Sequence, residues 1–322
     1  KDSDLSINDN LKRIFTNEEL KSNNEFLLLE KHDEGNLITS PLTNLYVKTP
    51  KSVLPETTLC FTPSMKDLID VILTSSAINQ PLLLQGPNGT GKSAAFFYLA
   101  ECINAKVTRI SLSSSTTVED LFGKYEPRTV GDSLVFDFQS TNFLNAIQLS
   151  HQENNDGIDV FQKQWIIIEE LHLASSSVLD ALIPVFNRQA TTIMRPDGTV
   201  QAKGEYFIVG CLSKPIPNHA IINTSLHYTL SDYTNDEYQQ IYSHILKSND
   251  ISDDIVTLFC EQLAGLSIAS SSLQLKVPIT AREAYKFIHM IDGSNNNIEY
   301  ETILRMLCLN RFSNIETRKE VA

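Results

Sequence analysis

Positive charge is in short supply. The 322-residue chain has 26 Lys and Arg against 39 Asp and Glu, a formal net charge of −13. A general nucleic-acid-binding surface needs a basic face, so direct nucleic-acid binding is not expected. The acidity suits solubility, or a basic partner. Long apolar runs are also missing. Stretches such as Trp165 to Ile168 fall far short of the roughly 20 residues that cross a bilayer, and no membrane partner is expected. Cysteine comes without pattern: Cys60, Cys102, Cys211, Cys260 and Cys308 are widely scattered and form no CxxC pair. That distribution reads as reduced thiols in an intracellular protein. The seven histidines are equally dispersed, with no zinc-ligand spacing. No signal peptide is visible, yet the chain begins at Lys1 and not at Met, so it reads as a piece of something longer.

What the chain does have is 42% hydrophobic residues, enough to pack one large or two ordinary domains, and one dense motif. Gly86-Pro87-Asn88-Gly89-Thr90-Gly91-Lys92-Ser93 reads G-x-x-x-x-G-K-S, a phosphate-binding loop. Pro81 to Gln85 before it suits a short buried strand, and Ala94 to Ala105 after it reads as a helix. That strand–loop–helix context separates the motif from a chance Gly-rich turn. Glycines let the backbone fold tightly enough for its N–H groups to face phosphate oxygens. The helix N-terminus adds free donors and a partial positive charge. Lys92 is expected to reach the β- and γ-phosphates of ATP or ADP, and the Ser93 hydroxyl to bind Mg²⁺.

Residues 1 to 58 are rich in Asn, Ser, Asp and Glu and read as a linker or the end of a preceding module, with one or two helices between Leu11 and Leu29. Thr62-Pro63 starts a helix, Thr capping and Pro at the first helical position. Met65, Leu68, Ile69, Ile72 and Leu73 give it an apolar face. Beyond the loop helix, Lys106 to Ile110 alternates as a strand, Val118 to Gly123 suits a short helix, Leu134 to Phe138 a strand and Thr141 to Leu149 a helix; His151 to Asp159 is a polar loop.

The second landmark is Trp165-Ile166-Ile167-Ile168-Glu169-Glu170. Its apolar residues suit a central parallel strand buried on both faces. Its carboxylates then emerge at the carboxyl end, where ligands bind in open α/β sheets. Glu169 is expected to hold or adjoin Mg²⁺, and Glu170 to orient and deprotonate the attacking water. A buried strand with a solvated acidic end would look the same, and the upstream loop is what favours the ATPase reading. Ala174 to Arg188 reads as a helix, with Ser177 and Asp180 as a capping pair and Pro184 inside. The runs around Asp197-Gly198 signal a hairpin. Tyr206 to Leu212 is a further buried strand whose end carries Ser213 and Lys214 toward the γ-phosphate. From about Asp232 only helices remain: Asn235 to Lys247, Ser252 to Ile268, Thr280 to Ile291 and Glu299 to Phe312, with a Thr280–Glu283 capping box.

Taken together, Gly86 to Ser93, Asp120-Leu121-Phe122-Gly123, Leu134 to Phe138, Ile168-Glu169-Glu170-Leu171-His172-Leu173-Ala174-Ser175 and the hairpin before Phe207 follow one another as in AAA+ ATPases. The resemblance is to the dynein-related branch. Within it the chain is similar to the midasins, ATPases of large ribosomal subunit assembly with six modules on one polypeptide. Leu309-Asn310-Arg311-Phe312-Ser313 to Arg318 looks like the close of such a module's lid, and about residues 60 to 320 are covered. The resemblance implies an α/β fold: a P-loop NTPase αβα sandwich with a parallel central sheet over 59–230, then an all-helical lid over 231–322. It implies neighbouring AAA+ modules in a hexameric ring, ribosome-assembly particles as partners and a nuclear location. Ser213 stands where the family places a polar nucleotide contact, and Arg282 matches the lid arginine that contacts the γ-phosphate.

Three departures stand out. Glu169 replaces the usual Asp, and a carboxylate shifted by about 1 Å can cost roughly 10²-fold in rate. Ser213 or Lys214 stands where Asn is usual. The segment Ile222-Asn223-Thr224-Ser225-Leu226-His227 has no arginine finger, a group worth about 10³–10⁵ in rate; in fact no arginine occurs from Pro196 to Ala281. The chain is therefore expected to be either a hydrolysing ring module or a structural one that holds nucleotide. A kinase or GTPase is disfavoured by the lid, the hairpin and the lack of an Asn-Lys-x-Asp segment. Trp165 is expected to pack, His172 to be exposed or hydrogen-bonded, Asp120 and Asp137 to be turn or surface carboxylates, and Arg195 to be a solvated tip charge.

Overall fold

The computed structural model describes residues 27–32, 35–39, 46–130, 133–148, 164–187, 192–195, 198–201, 206–216, 219–249, 251–269, 280–294 and 300–309. Backbone contacts divide the chain into two compact units. One comprises Lys1–Glu56, Ile69–Gln85 and Ser93–Tyr228; the other comprises Thr57–Leu68, Gly86–Lys92 and Thr229–Ala322.

The first unit is built on a five-stranded sheet. Its strands are β4 (Leu82–Gln85), β5 (Lys106–Ser111), β8 (Gln164–Glu169), β11 (Tyr206–Leu212) and β12 (Leu226–Thr229), in the order β12-β4-β11-β8-β5. β11 runs parallel to both β4 and β8, and β8 parallel to β5. Alternation along β8 sorts its side chains. The Trp165 ring lies 5.1 Å from Phe96 of α2 (Lys92–Cys102) and 4.9 Å from Phe207. Ile166 and Ile168 turn the other way, into a cluster with Phe143, Leu144 and Ile147 of α4 (Asn142–Gln148) and Leu179, Leu182 and Phe186 of α5 (Ser176–Phe186). Helices thus cover both faces of the sheet. All four residues Trp165 to Ile168 are 0% exposed, and each such side chain contributes about 1.5–3 kcal/mol of burial.

Among the described residues this unit also holds three smaller sheets. β1 (Leu28–His32), β2 (Gly35–Thr39) and β3 (Tyr46–Thr49) pair antiparallel in that order. Leu28 and Leu29, expected to close a helix, stand in β1, because pairing with β2 satisfies their backbone and buries Leu37 and Ile38 beside them; tertiary pairing overrides local helix preference. Residues 1–26 lie outside the described set. β6 (Lys124–Val130) and β7 (Ser133–Gln139) form a hairpin. Pro127 hid β6 from the sequence pattern; a two-stranded ribbon has two free edges, so a missing N–H is tolerated. β9 (Thr192–Arg195) and β10 (Gly198–Gln201) form the expected second hairpin. His151 to Asp159 lies outside the described residues.

Helix starts are fixed by side-chain caps. α1 (Pro63–Ala77) starts as expected, with Thr62 Oγ1 accepting from Met65 N at 3.3 Å. α3 (Val118–Phe122) carries a capping box in which Thr117 and Asp120 bond each other's backbone, so Asp120, exposed as expected, also caps the helix. The Ser177–Asp180 pair is not the cap of α5. Ser175 Oγ accepts from Val178 N, because the helix begins one residue before Ser177. A short 3₁₀ turn, Leu171–Leu173, precedes it, and α6 (His219–Thr224) follows β11.

The second unit is helical: α7 (Asn235–Lys247), α8 (Asp253–Ala269), α9 (Arg282–Ser294) and α10 (Tyr300–Leu309). Its core is a chain of aromatic contacts, Tyr233–Tyr238–Tyr242–Phe259–Phe287, with centroids 4.8 to 5.7 Å apart. The four helices expected from the sequence match the observed ones to within three residues at the described ends. Glu237 ties two helix starts together. One carboxylate oxygen accepts Ser64 N of α1 at 2.9 Å; the other accepts Thr234 N at 3.0 Å and Thr234 Oγ1 at 3.2 Å. Burial alone would raise its pKa, but the bonds from Ser64 and Thr234 outweigh it and hold the carboxyl below its ordinary value of 4.5. A carboxyl depressed on folding stabilises above its unfolded pKa, and that contribution is lost as pH falls through the folded value. Glu237→Gln should therefore cost about 1–2 kcal/mol at pH 7. The difference from wild type should shrink in thermal melts taken below about pH 4. Equal melting of the two proteins at pH 7 would contradict the capping role.

Candidate nucleotide site

The loop between β4 and α2 belongs to the helical unit over Gly86–Lys92. Gly89 and Gly91 have φ of +90° and +79°, a region that L side chains rarely adopt. Space is as restrictive as backbone angle. A Cβ on Gly89 would lie 2.8 Å from Thr280 Cβ, and one on Gly91 2.5 Å from Met65 Cε. Tyr233 Oη donates to Thr90 O at 3.0 Å, and Thr90 Oγ1 to Pro87 O at 2.9 Å. Buried Lys92 curls back along the loop, its Nζ donating to Gly86 O at 2.8 Å and Pro87 O at 2.6 Å. An ammonium held at the centre of a glycine cradle with two left-handed residues fits a polyphosphate. Thr280, the residue packed on Gly89, also receives Arg282 N on its Oγ1 at 3.4 Å. Arg282 opens α9 beside the loop, with its side chain exposed.

Other residues singled out in the sequence lie in the sheet unit. Ser93 Oγ donates to Glu169 Oε1 at 2.5 Å. Glu169 Oε2 accepts from Arg109 Nε at 2.7 Å and lies 2.6 Å from Arg109 Nη2. The Arg109 guanidinium also stands 5.8 Å from the centre of the Phe97 ring. A hydroxyl and a carboxylate in contact at the end of a phosphate-loop helix are the donor set a hard divalent cation such as Mg²⁺ takes, one or two oxygens with water completing the shell. Among the described residues no group of three or more His, Cys, Asp and Glu is placed to hold a metal.

Glu170 leaves the strand in a left-handed conformation, φ 56° and ψ 36°, which is strained for a residue with a Cβ and turns its side chain away from the β8 register. Its Oε2 lies 3.6 Å from His172 Nε2. His172 is nearly buried and also meets Ser213: Ser213 N donates to Nδ1 at 3.4 Å, and Ser213 Oγ shares a hydrogen bond with Nε2 at 3.1 Å. Two parallel strands, β8 and β11, thus end on one small polar cluster.

The sequence-predicted residues therefore fall into local groups. Ser93 and Glu169 touch; Glu170 and Ser213 meet through His172; Lys92 closes the loop Gly86–Gly91; Arg282 opens a helix next to Gly89. His172 is hydrogen-bonded, as expected, and Trp165 packs. Lys214 is exposed, and the finger segment holds only the end of α6 and the start of β12, where His227 Nε2 meets Gln85 Oε1 at 3.1 Å. Sequence reasoning missed Arg109. Its one signal was a cation inside a short alternating strand, at the position that β5 places opposite Ile167.

Residues 81–226 match the AAA domain of the dynein-related subfamily. Over 231 residues, 68% of this chain, the sequence is 24% identical to midasin of Giardia intestinalis, of which 4% is covered. Over 200 residues, 59% of this chain, it is 24% identical to midasin of Dictyostelium discoideum, of which 3% is covered. The chain spans only a small part of the length of these curated relatives. Two mutants of RuvB from Thermotoga maritima are similar at 16% and 15% identity, with TM-scores of 0.49 and 0.48; the matches cover 80% and 79% of this chain and 73% and 72% of those.

The loop geometry makes one prediction that needs no nucleotide. Gly89→Ala should destabilise the protein by about 1–3 kcal/mol in urea unfolding, since a Cβ there meets both a forbidden φ and Thr280. A neutral or stabilising effect would show that the loop relaxes freely.

Proposed function

From a chain that carries an AAA domain of the dynein-related subfamily over residues 81–226, with the parallel five-stranded sheet of an ATP-binding AAA+ module, we propose that it hydrolyses ATP as one module of a ring-shaped motor. The observation that carries the reading is the contact of Ser93 with Glu169, made where the loop Gly86–Lys92 runs into α2.

On this reading the amides of Gly86 to Gly91 and the Lys92 ammonium hold the β- and γ-phosphates. Ser93 Oγ and the Glu169 carboxylate hold Mg²⁺, which when bound neutralises charge on the transferred phosphoryl group. Glu170 orients a water and takes its proton. His172 and Ser213 fix the direction of the Glu170 carboxylate through the contacts at 3.6 and 3.1 Å. Arg282 supplies a second cation for the γ-phosphate. The module comprises an αβα part over 59–230 and a helical lid over 231–322. As in the midasins, it takes its place among neighbouring modules of a hexameric ring and acts on ribosome-assembly particles in the nucleus.

A second reading has its own support. The segment Ile222 to His227 offers no arginine to a neighbour, and Glu169 already has a cation on it. On that reading the module holds ATP or ADP to stabilise the ring and turns over little. Binding and turnover, measured side by side in an assembly that forms the ring, separate the two. Lys92→Ala should abolish nucleotide binding. Glu170→Gln should keep binding and lower turnover by about 10²-fold or more. Retained binding with an unchanged rate in Glu170→Gln would establish the structural reading. Absence of ATP binding by the wild type would overturn both.

A further inference from the structure

Among the described residues, Ser93 and Arg109 bond the Glu169 carboxylate, and of these only Ser93 belongs to the expected metal site. The other, Arg109, is a resident cation. Its Nε and Nη2 both converge on Oε2, at 2.7 and 2.6 Å, while Ser93 occupies Oε1. Both carboxylate oxygens are thereby engaged within the chain. The pair is asymmetric in solvent access: the Glu169 side chain is 13% exposed and that of Arg109 60%. The carboxylate is held in place by its strand, whereas the guanidinium sits at the surface, leaning on Phe97 at 5.8 Å. The extra methylene of Glu169, which would misplace an acid meant for a metal alone, brings its carboxylate to both Ser93 and Arg109.

We propose that Arg109 is a counter-cation of Glu169 that competes with the divalent metal for this carboxylate, so that the module binds nucleotide with weak dependence on Mg²⁺. The proposal rests on the nucleotide-site reading above and specifies how that site treats its metal. The physical ground is like-charge exclusion. A divalent ion at Ser93 and Glu169 and a guanidinium on the same carboxylate repel each other, so the ion's binding includes the cost of displacing Arg109. Because Arg109 is largely solvated, that cost is modest, and the cation can yield when metal-bound nucleotide is abundant. When Arg109 yields, Phe97 offers a ring face along which it can shift. Arg109 acts through Glu169 and is a positioning residue, not a catalytic one.

The test is calorimetric titration of the full chain with ATP and with ADP, each in MgCl₂ and in EDTA, for wild type, Arg109→Gln and Arg109→Lys. Wild type should show similar affinities in the two buffers. Arg109→Gln should bind the Mg²⁺ complex about fivefold more tightly and metal-free nucleotide no better, which raises the ratio of the two affinities. Arg109→Lys keeps the charge without the two-pronged contact and should give an intermediate ratio; it also decides the matter if the Gln variant fails to fold. An unchanged ratio in both variants, with binding intact, overturns the competition and leaves the nucleotide reading standing. Loss of affinity in both buffers on Arg109→Gln makes Arg109 a structural clamp and also overturns it. No binding of either nucleotide by wild type in either buffer overturns the nucleotide reading, and this inference with it.

Discussion

Strand β8 is hydrogen-bonded along both edges and covered on both faces, and that double constraint is what the sheet unit depends on. A strand so held can neither slip in register nor swing at its end. Its neighbours run parallel to it, so their carboxyl ends arrive at the same edge of the sheet. Ser111 pairs opposite Glu169 on one side, and Ser213 follows β11 on the other. The apolar residues Trp165 to Ile168 therefore do more than fill a core: they fix where two carboxylates emerge. Ligands of open α/β sheets gather at such ends because only there do several strands deliver side chains to one place.

Those carboxylates do not resemble each other in setting. Glu169 continues the strand and is engaged by Ser93 and Arg109. Glu170 turns out of it in a left-handed conformation and faces His172, which in turn meets Ser213. Adjacent acids in one extended segment would point to opposite faces; the change of backbone at Glu170 breaks that alternation. The conformation is costly for a residue with a Cβ, and a 3₁₀ turn held by Leu173 N on Glu170 O compensates for part of the cost. On the proposed function these two settings correspond to two tasks, Glu169 next to a metal and Glu170 next to a water.

In the helical unit the phosphate loop is packed rather than merely tethered. Thr280 crowds a Cβ on Gly89, and Met65 and Tyr233 crowd one on Gly91, so the glycines answer to packing as well as to φ. Glu237 binds the starts of α1 and α7 with one side chain, and the aromatic contacts from Tyr233 to Phe287 carry that order through the helices.

Much of this was legible in the linear sequence because the signals are local. A phosphate loop is recognised from spacing alone, since eight consecutive residues carry both the glycines that set its backbone and the lysine it encloses. A strand buried on both faces reads as an unbroken apolar run, and amphipathic helices show their period within one or two turns. For these the sequence by itself determined the element, its face and the order Ser93, Glu169, Glu170, Arg282 along the chain. Contacts between residues far apart carry no such local mark. The approach of Arg109 to Glu169, 60 residues away, depends on β5 lying next to β8. The meeting of His172 with Ser213 depends on β8 lying next to β11. The strand β6, hidden by Pro127, and the strand at Leu28–Leu29 required partners that no local pattern announces. Strand order is a property of the assembled sheet, set by which apolar faces bury one another, and only the tertiary structure decided it and with it the partners of the two carboxylates.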